Sequence, residues 1–185
     1  EVGRKARSGS VWSALQIGAR NALSIGITAI LARLLSPDDY GLMGMVATLT
    51  ALLLVFSDMG LSWATVQRKE LSAAQVSNLF WINAGTGLAL WIGCIAVAPL
   101  VAAFYVRPEL QAVTAVMGAS FLIGGLAVQP FAVMRRRMEF RQIALIEIAA
   151  VVASAIAAVA AAWMGLGYWA LVIQALLGQV VRLVG

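Results

Sequence analysis

The stretch VSNLFWINAGTGLALWIGCIAVAPLVAA, residues 76–103, runs for 28 residues without an Asp, Glu, Lys or Arg. About 20 apolar residues in a helix suffice to cross the hydrocarbon core of a bilayer, so this stretch predicts a transmembrane helix. The whole chain shares its character, because 62% of its 185 residues are hydrophobic and only 11% are charged. Soluble domains average about 25% charged residues. The composition therefore excludes a water-soluble globular protein.

Further apolar stretches lie on both sides of this segment, and short polar or glycine-containing breaks separate them. The breaks are typical of turns, because proline and aspartate interrupt helices and basic clusters end membrane spans. We predict an all-α polytopic membrane protein whose six transmembrane helices form a single bundle over residues 1–185. The predicted spans are about 11–35, 41–65, 76–103, 110–134, 143–164 and 168–185.

The basic residues predict the orientation of these spans, because Lys and Arg in short loops are retained on the cytoplasmic side. With the N-terminus in the cytoplasm, only Arg33 and Arg107 lie outside. Ten basic residues then lie inside: Arg4, Lys5, Arg7, Arg68, Lys69, Arg135, Arg136, Arg137, Arg141 and Arg182. The net charge of +5 is spread over short clusters, so a nucleic-acid partner is not predicted. We expect a multi-pass protein of the bacterial cytoplasmic (inner) membrane.

The residues most used in catalysis and metal binding are scarce. The chain has no histidine, and its one cysteine, Cys94, lies in an apolar run. No nucleophile constellation, phosphate-binding loop or dinucleotide fingerprint occurs. We therefore predict no enzymatic activity, no cofactor and no metal site.

The first span carries a polar stripe. At 100° per residue, Arg20 and its polar neighbours fall within an arc of about 140°; these neighbours are Ser13, Gln16, Asn21, Ser24 and Thr28. Small residues occupy the opposite side and predict close helix packing there: Gly18, Ala22, Gly26 and Ala29. The stripe indicates a cavity wall, although Gln16, Ser24 and Thr28 taken singly fit ordinary helix hydrogen bonds equally well. Arg20 needs a counter-charge, a cavity or water, since a mid-membrane charge costs about 3 kcal/mol or more.

Two acidic residues also lie at predicted membrane depth. Asp58 and Glu147 are candidates for ion coupling or for an ion pair with Arg20. Asp58 also fits a helix-ending role, and Glu147 also fits pairing with the nearby arginine cluster. Asn83 and Thr86 share a face of the third span, and Gln129 precedes Pro130 in the fourth. These polar groups could contact a sugar or join helices.

Several segments between the spans resemble a known family. They are Leu31–Gly41 (LARLLSPDDYG), Phe56–Leu61 (FSDMGL) leading to Val66–Lys69 (VQRK), and Arg137–Arg141 (RMEFR). The first is fairly specific and the others are weaker. They resemble the N-terminal part of bacterial polysaccharide transporters of the Wzx type, the O-antigen and exopolysaccharide flippases close to the colanic-acid exporters. That group belongs to the superfamily that also contains the multidrug and toxic-compound extruders (MATE), and the resemblance covers essentially the whole chain.

The resemblance implies a MATE-like transporter of two six-helix lobes, of which this chain is the N-terminal one. The partners it implies are membrane lipids, a missing C-terminal lobe or second subunit, and an oligosaccharide on a polyprenyl diphosphate, flipped from the cytoplasmic to the periplasmic leaflet. It gives Arg20 the role of contacting the diphosphate. The other expected substrate-binding residues are Gln16, Asn21, Ser24 and Asn83.

Two other functions stay open. A cation-coupled multidrug exporter of the same superfamily would place acidic residues in its cavity, and the stripe around Arg20 argues against it. A non-transport membrane assembly subunit or a membrane enzyme would depend on surfaces that the sequence does not identify.

Overall fold

The computed structural model describes residues 18, 21–57, 73–136 and 139–185, and these residues are helical apart from short turns. Six helices lie in the described part, in agreement with the predicted number of segments. In chain order they are α1 (Asn21–Leu34), α2 (Pro37–Ser57), α3 (Ala73–Tyr105), α4 (Glu109–Arg136), α5 (Phe140–Trp163) and α6 (Trp169–Val184).

Three of these helices are long and apolar enough to cross a membrane. They cover Ser77–Tyr105 of α3, all of α4 and all of α5. The shorter helices α1 and α6 are also apolar in their described residues. The chain is therefore a helical membrane protein, and six crossings remain a prediction.

The second helix begins earlier than the sequence predicted, at Pro37 instead of residue 41. Ser36 caps it, because its hydroxyl accepts a hydrogen bond from the Asp39 backbone N–H at 3.2 Å. In return, Asp39 Oδ2 accepts from the Ser36 backbone N–H at 2.9 Å and from its hydroxyl at 2.7 Å. This reciprocal arrangement is a capping box, and proline suits the first helical position. Pro37, Asp38 and Asp39, which the sequence predicted to lie in a break between helices, therefore form the first turn of α2.

The short turns α1–α2, α3–α4 and α5–α6 meet at one end of the bundle, here named the turn end. Arg107 of the α3–α4 turn forms a bidentate ion pair with Asp38, with Nη1 donating to Oδ2 at 3.0 Å and Nη2 to Oδ1. Gly167 of the α5–α6 turn lies so close to Asp39 that a Cβ would approach Oδ1 to 2.9 Å. The opposite end, where α3 and α5 begin, is here named the cavity end.

The apolar core lies toward the turn end. One cluster joins Leu42 and Val46 of α2 to Leu110 and Val113 of α4 and to Val172 of α6. A second cluster packs three residues of α1 against alanines of α5 and α6: Ile27, Leu31, Leu35, Ala158, Ala161, Ala162 and Ala170. The bundle is therefore closed at the turn end by side chains from every described helix.

The packing face predicted for α1 was wrong. Among the described residues, no atom lies within 4 Å of a Cβ position on Gly18 or Gly26, and Ala22 and Ala29 are exposed. The structure buries the large residues Ile27 and Leu31 instead. Alanines of α5 and α6 supply the small partners, so large side chains of α1 fill the space between them.

The helices α3 and α4 approach to backbone contact. A Cβ on Gly87 would lie 2.5 Å from the Phe121 carbonyl oxygen, and one on Gly125 would lie 2.5 Å from that of Asn83. Such small-residue crossings allow membrane helices to pack without large side chains between them. The Trp91 indole N–H adds a hydrogen bond to the Ala115 carbonyl oxygen at 3.0 Å.

Candidate substrate cavity

A cavity of about 750 Å³, lined by both polar and apolar residues, lies between the helices toward the cavity end. Four helices contribute uncharged polar side chains to its wall: Thr50 of α2, Asn83 and Thr86 of α3, Ser120 of α4, and Gln179 of α6. Hydroxyls and amides together offer both hydrogen-bond donors and acceptors. A wall of this composition can hold a hydroxyl-rich molecule or water.

Three charged residues also line the cavity: Arg135 of α4, Glu147 of α5 and Arg182 of α6. Glu147 Oε2 and Arg182 Nε form an ion pair at 3.9 Å, and the two side chains are 14% and 37% exposed. Among the residues described, Arg135 makes no ion pair. Two guanidinium groups therefore face one carboxylate, which leaves the described wall with an excess of positive charge.

Buried polar atoms of the wall lack hydrogen-bond partners within the described part of the chain. They are Asn83 Nδ2, Gln179 Oε1 and Arg182 Nε. Gln129 of α4 is 3% exposed, and both polar atoms of its side chain likewise lack hydrogen-bond partners among the described residues. Buried polar groups are normally paired in folded proteins, with protein, water or ligand. Tyr40 Oη and Thr114 Oγ1 are in the same situation away from the cavity, so most, but not all, of the unused hydrogen-bonding capacity of the described residues lies at and near it.

Glycine backbone contacts set the position of Asn83. Its carbonyl oxygen lies 2.5 Å from where a Cβ of Gly125 would be, so any side chain at residue 125 would push α3 away. Asn83 is half-buried, and Thr86 is one turn further along the same helix wall. The contact between α3 and α4 therefore places Asn83 and Thr86 at the cavity wall.

The structure brings together two of the residues that the sequence singled out as site candidates. Asn83 and Glu147, with Thr86, line one cavity, and Glu147 pairs with Arg182. Asn21 and Ser24 of α1 are exposed and do not line it. The Thr28 hydroxyl donates to the Ser24 carbonyl oxygen at 2.8 Å, which is the local hydrogen bond that the sequence left open. Gln16, Arg20 and Asp58 lie outside the described residues.

The sequence reading missed Arg135, Gln179 and Arg182 as members of this site. It took the arginines only as topology signals, because their positions near helix ends fit retention at a membrane surface. One signal could have revealed the pair. Gln179 and Arg182 are three residues apart and share a helix face, and Glu147 lies in the part of α5 that begins at the same end of the bundle.

A second concavity, of about 1010 Å³, lies between α2 and α3 toward the turn end. Its wall is almost entirely apolar and includes Leu49, Leu100 and Phe104. Phe104 is 79% exposed. Such a surface suits lipid or another apolar helix face, whereas the cavity-end wall suits a polar guest.

A bundle of apolar helices around a charged, polar cavity defines a membrane protein with an internal polar compartment. The chain belongs to the family described as polysaccharide biosynthesis protein, which matches residues 30–185. The family resemblance drawn from the interhelical segments is thereby confirmed.

Three curated bacterial proteins have related sequences. The lipopolysaccharide biosynthesis protein WzxC of Escherichia coli (strain K12) is 28% identical over 96% of this chain and 35% of its own length. The teichuronic acid biosynthesis protein TuaB of Bacillus subtilis (strain 168) is 28% identical over 96% of this chain and 37% of its own. The succinoglycan biosynthesis transport protein ExoT of Rhizobium meliloti (strain 1021) is 28% identical over 94% and 35%. The chain thus spans about a third of the length of these relatives. No solved structure matches it.

Proposed function

We propose that this chain forms the N-terminal helical lobe of a MATE-like, two-lobed flippase. Its cargo is an oligosaccharide repeat unit on a polyprenyl diphosphate, moved from the cytoplasmic to the periplasmic leaflet of the bacterial inner membrane for polysaccharide biosynthesis. The observation that carries the proposal is the polar cavity held between helices long and apolar enough to span a bilayer. Sugar hydroxyls need such a wall, while the prenyl chain stays in hydrocarbon.

The relatives support the class of cargo. Their names refer to the biosynthesis of lipopolysaccharide, teichuronic acid and succinoglycan, and one of them is called a transport protein. A transport function needs no catalytic residues, cofactor or metal from this lobe. It does need a second wall for the cargo path, which a C-terminal lobe or a second subunit would supply.

The orientation follows from the basic residues. With the N-terminus in the cytoplasm, the cavity end faces the cytoplasm and carries Arg135, Arg136, Arg141 and Arg182, while the turn end carries Arg33 and Arg107. A cavity that opens toward the cytoplasmic side is placed to receive a lipid-linked saccharide made there.

In this scheme Arg20 contacts the diphosphate, and Gln16, Asn21 and Ser24 provide a polar surface beside it. The exposure of Asn21 and Ser24 is compatible with that role. Asp58 remains a candidate for ion coupling or for pairing with Arg20. The charge balance of the cavity disfavours the alternative of cation-coupled drug export, because two arginines and one glutamate would repel a cationic drug.

The transport test uses the intact protein reconstituted in liposomes with a fluorescent lipid-linked oligosaccharide. We expect flipping to be abolished in Arg20→Ala and partly retained in Arg20→Lys, which keeps the charge but loses the bidentate fork. Export of a cationic dye without saccharide flipping would overturn the proposed cargo. If Arg20→Ala lowers membrane abundance and neutralising Asp58 or Glu147 restores it, Arg20 has an ion-pair role instead.

The orientation test uses single cysteines introduced by Pro37→Cys and Arg136→Cys. In intact cells, a membrane-impermeant maleimide should label the first from the periplasm and leave the second unlabelled. Cys94 is buried, so it contributes little background. The reverse pattern would overturn the orientation and the cytoplasmic opening of the cavity.

A further inference from the structure

The charged groups of the cavity leave Arg182 with unused hydrogen-bonding capacity. A carboxylate in good hydrogen-bonding contact with a guanidinium lies about 2.7–2.9 Å from its nitrogen. Glu147 Oε2 lies at 3.9 Å from Arg182 Nε, and that Nε is buried without a hydrogen-bond partner in the described residues. Glu147 therefore offsets the charge of Arg182 without satisfying this donor.

The neighbourhood of Arg182 is suited to a second anion. Arg135 faces the same cavity and makes no ion pair among the residues described, so it adds positive charge that Glu147 does not neutralise. Gln179 lies one turn before Arg182 on α6, and Asn83 presents a buried amide N–H₂ that has no partner among the residues the structure describes. Guanidinium and amide N–H groups are the donors that phosphate and carboxylate oxygens accept from.

We propose that Arg182 anchors an anionic oxygen group of the transported molecule, and that Glu147 is an internal competitor that occupies Arg182 while the cavity is empty. The inference rests on the proposed function only for the identity of that group, which is a diphosphate on the lipid carrier or a carboxylate on a sugar. Both present oxygens that can replace the Glu147 carboxylate at the same guanidinium.

The replacement of the Glu147 carboxylate by an anion of the cargo has a physical reason. A partly buried arginine without a counter-charge is costly, because removing one partner from such a pair leaves the other charge uncompensated. With Glu147 present, Arg182 is neutralised in both states, by Glu147 before binding and by the cargo after it. The glutamate thereby lowers the affinity for the anion, which favours release of the cargo on the far side of the membrane.

The test measures anion binding directly, by calorimetry on the intact protein in detergent micelles. The probes are inorganic pyrophosphate and glucuronate, with glucose as the uncharged control. Arg182→Gln should weaken binding of the recognised anion by about tenfold or more, and Arg182→Lys should have an intermediate effect. Glu147→Gln should strengthen binding several-fold, because the internal competitor is gone. The matched control is Arg33→Gln, an exposed arginine of α1 outside the cavity, which should leave affinity unchanged.

Each outcome decides one part of the proposal, provided that the variants elute as monodisperse protein. Preference for pyrophosphate supports the carrier as source of the anion, and preference for glucuronate supports an acidic sugar. If Glu147→Gln weakens binding as much as Arg182→Gln, the competitor role is wrong. If Arg182→Gln leaves the anion affinity unchanged, or if glucose binds as well as the anions, the proposed anchoring role of Arg182 is wrong. Liposome flipping is scored separately, so a protein that binds anions as expected but does not flip saccharide refutes the proposed function alone.

Discussion

The two ends of the bundle use the same kinds of polar residue in opposite ways. At the turn end, Ser36 and Asp39 satisfy one another, and both Asp38 oxygens accept from Arg107. At the cavity end, Arg182 and Asn83 keep buried donors without partners in the described chain. Satisfied polar groups hold the turns together, whereas unsatisfied ones leave room for a guest. Tyr40 Oη and Thr114 Oγ1, toward the turn end, also lack hydrogen-bond partners among the described residues, so the contrast between the two ends is one of degree.

The largest effect is expected from a substitution at the contact between α3 and α4, which forms part of the cavity wall at one end of this comparison. Gly87→Ala places a Cβ 2.5 Å from the Phe121 carbonyl oxygen, so α3 and α4 must separate. We expect a loss of about 1–3 kcal/mol in stability, the range of overpacked cores. The temperature at which buried Cys94 becomes reactive to a fluorescent maleimide measures it. Gly85→Ala, whose Cβ would meet no described atom within 4 Å, is the control, and equal melting of the two variants would contradict the backbone contact.

A smaller effect is expected from two helix ends that differ in one residue. Both α3 and α5 end in a Schellman motif, with backbone bonds from Arg107 to Ala102 and from Leu166 to Ala161. The residue with positive φ is Gly165 in α5 (φ +76°) and Val106 in α3 (φ 54°). Valine is strained in this conformation, so Gly165→Val should destabilise by about 1–2 kcal/mol and Val106→Gly should stabilise by about 1 kcal/mol.

Thermal unfolding measures both of these changes, and both residues are exposed, so no packing is lost. Because they lie at the turn end, neither variant should alter pyrophosphate affinity at the cavity end. A stability change of the wrong sign in Val106→Gly would contradict the strain at that residue. A change in anion affinity would show that the two ends are coupled.

The smallest effect concerns the exposed ion pair between Asp38 and Arg107, because solvent weakens such pairs. The hydrogen bond from Arg107 lowers the pKa of Asp38 below its ordinary value of 3.8. A lowered folded pKa means that the stabilisation is fully present above pH 3.8 and is lost as the pH falls through the folded pKa. Asp38→Asn should therefore melt slightly lower than the wild type at neutral pH and together with it in strong acid. A difference that persists in acid would assign the effect to something other than the charge.

The sequence predicted the turns better than the helix faces. Arg107, Pro108 and the glycines at residues 165 and 167 mark turns by local chemistry, and the structure places turns there. Faces depend on periodicity, and α2, α3 and α5 are apolar almost all round, so no stripe distinguishes their packed side. In α1, Leu31 lies seven residues after Ser24 and so on the same face, yet the first is buried and the second exposed. One face of that helix packs at one end and is open at the other.

The cavity was predictable only in part. Asn83 and Glu147 stood out because polar residues inside apolar spans demand an explanation. Arg182 did not, because an arginine near a helix end is explained equally well by the membrane surface. The pairing of Glu147 with Arg182 depends on the depth and rotation of α5 and α6, and the packing of Gly178 against the Ser154 side chain helps to fix both. Such register is a tertiary property that spacing within one helix does not contain.

The backbone contact between α3 and α4 also has a mechanical consequence. With carbonyl oxygens wedged against Gly87 and Gly125, and the Trp91 indole bonded across the pair, these two helices cannot slide along one another without breaking contacts at three levels. The two helices therefore behave as a single rigid unit. In the proposed flippase, a motion that exposes the cavity to the other side of the membrane would have to move α3 and α4 together as a rigid body, with bending confined to the turns that flank them.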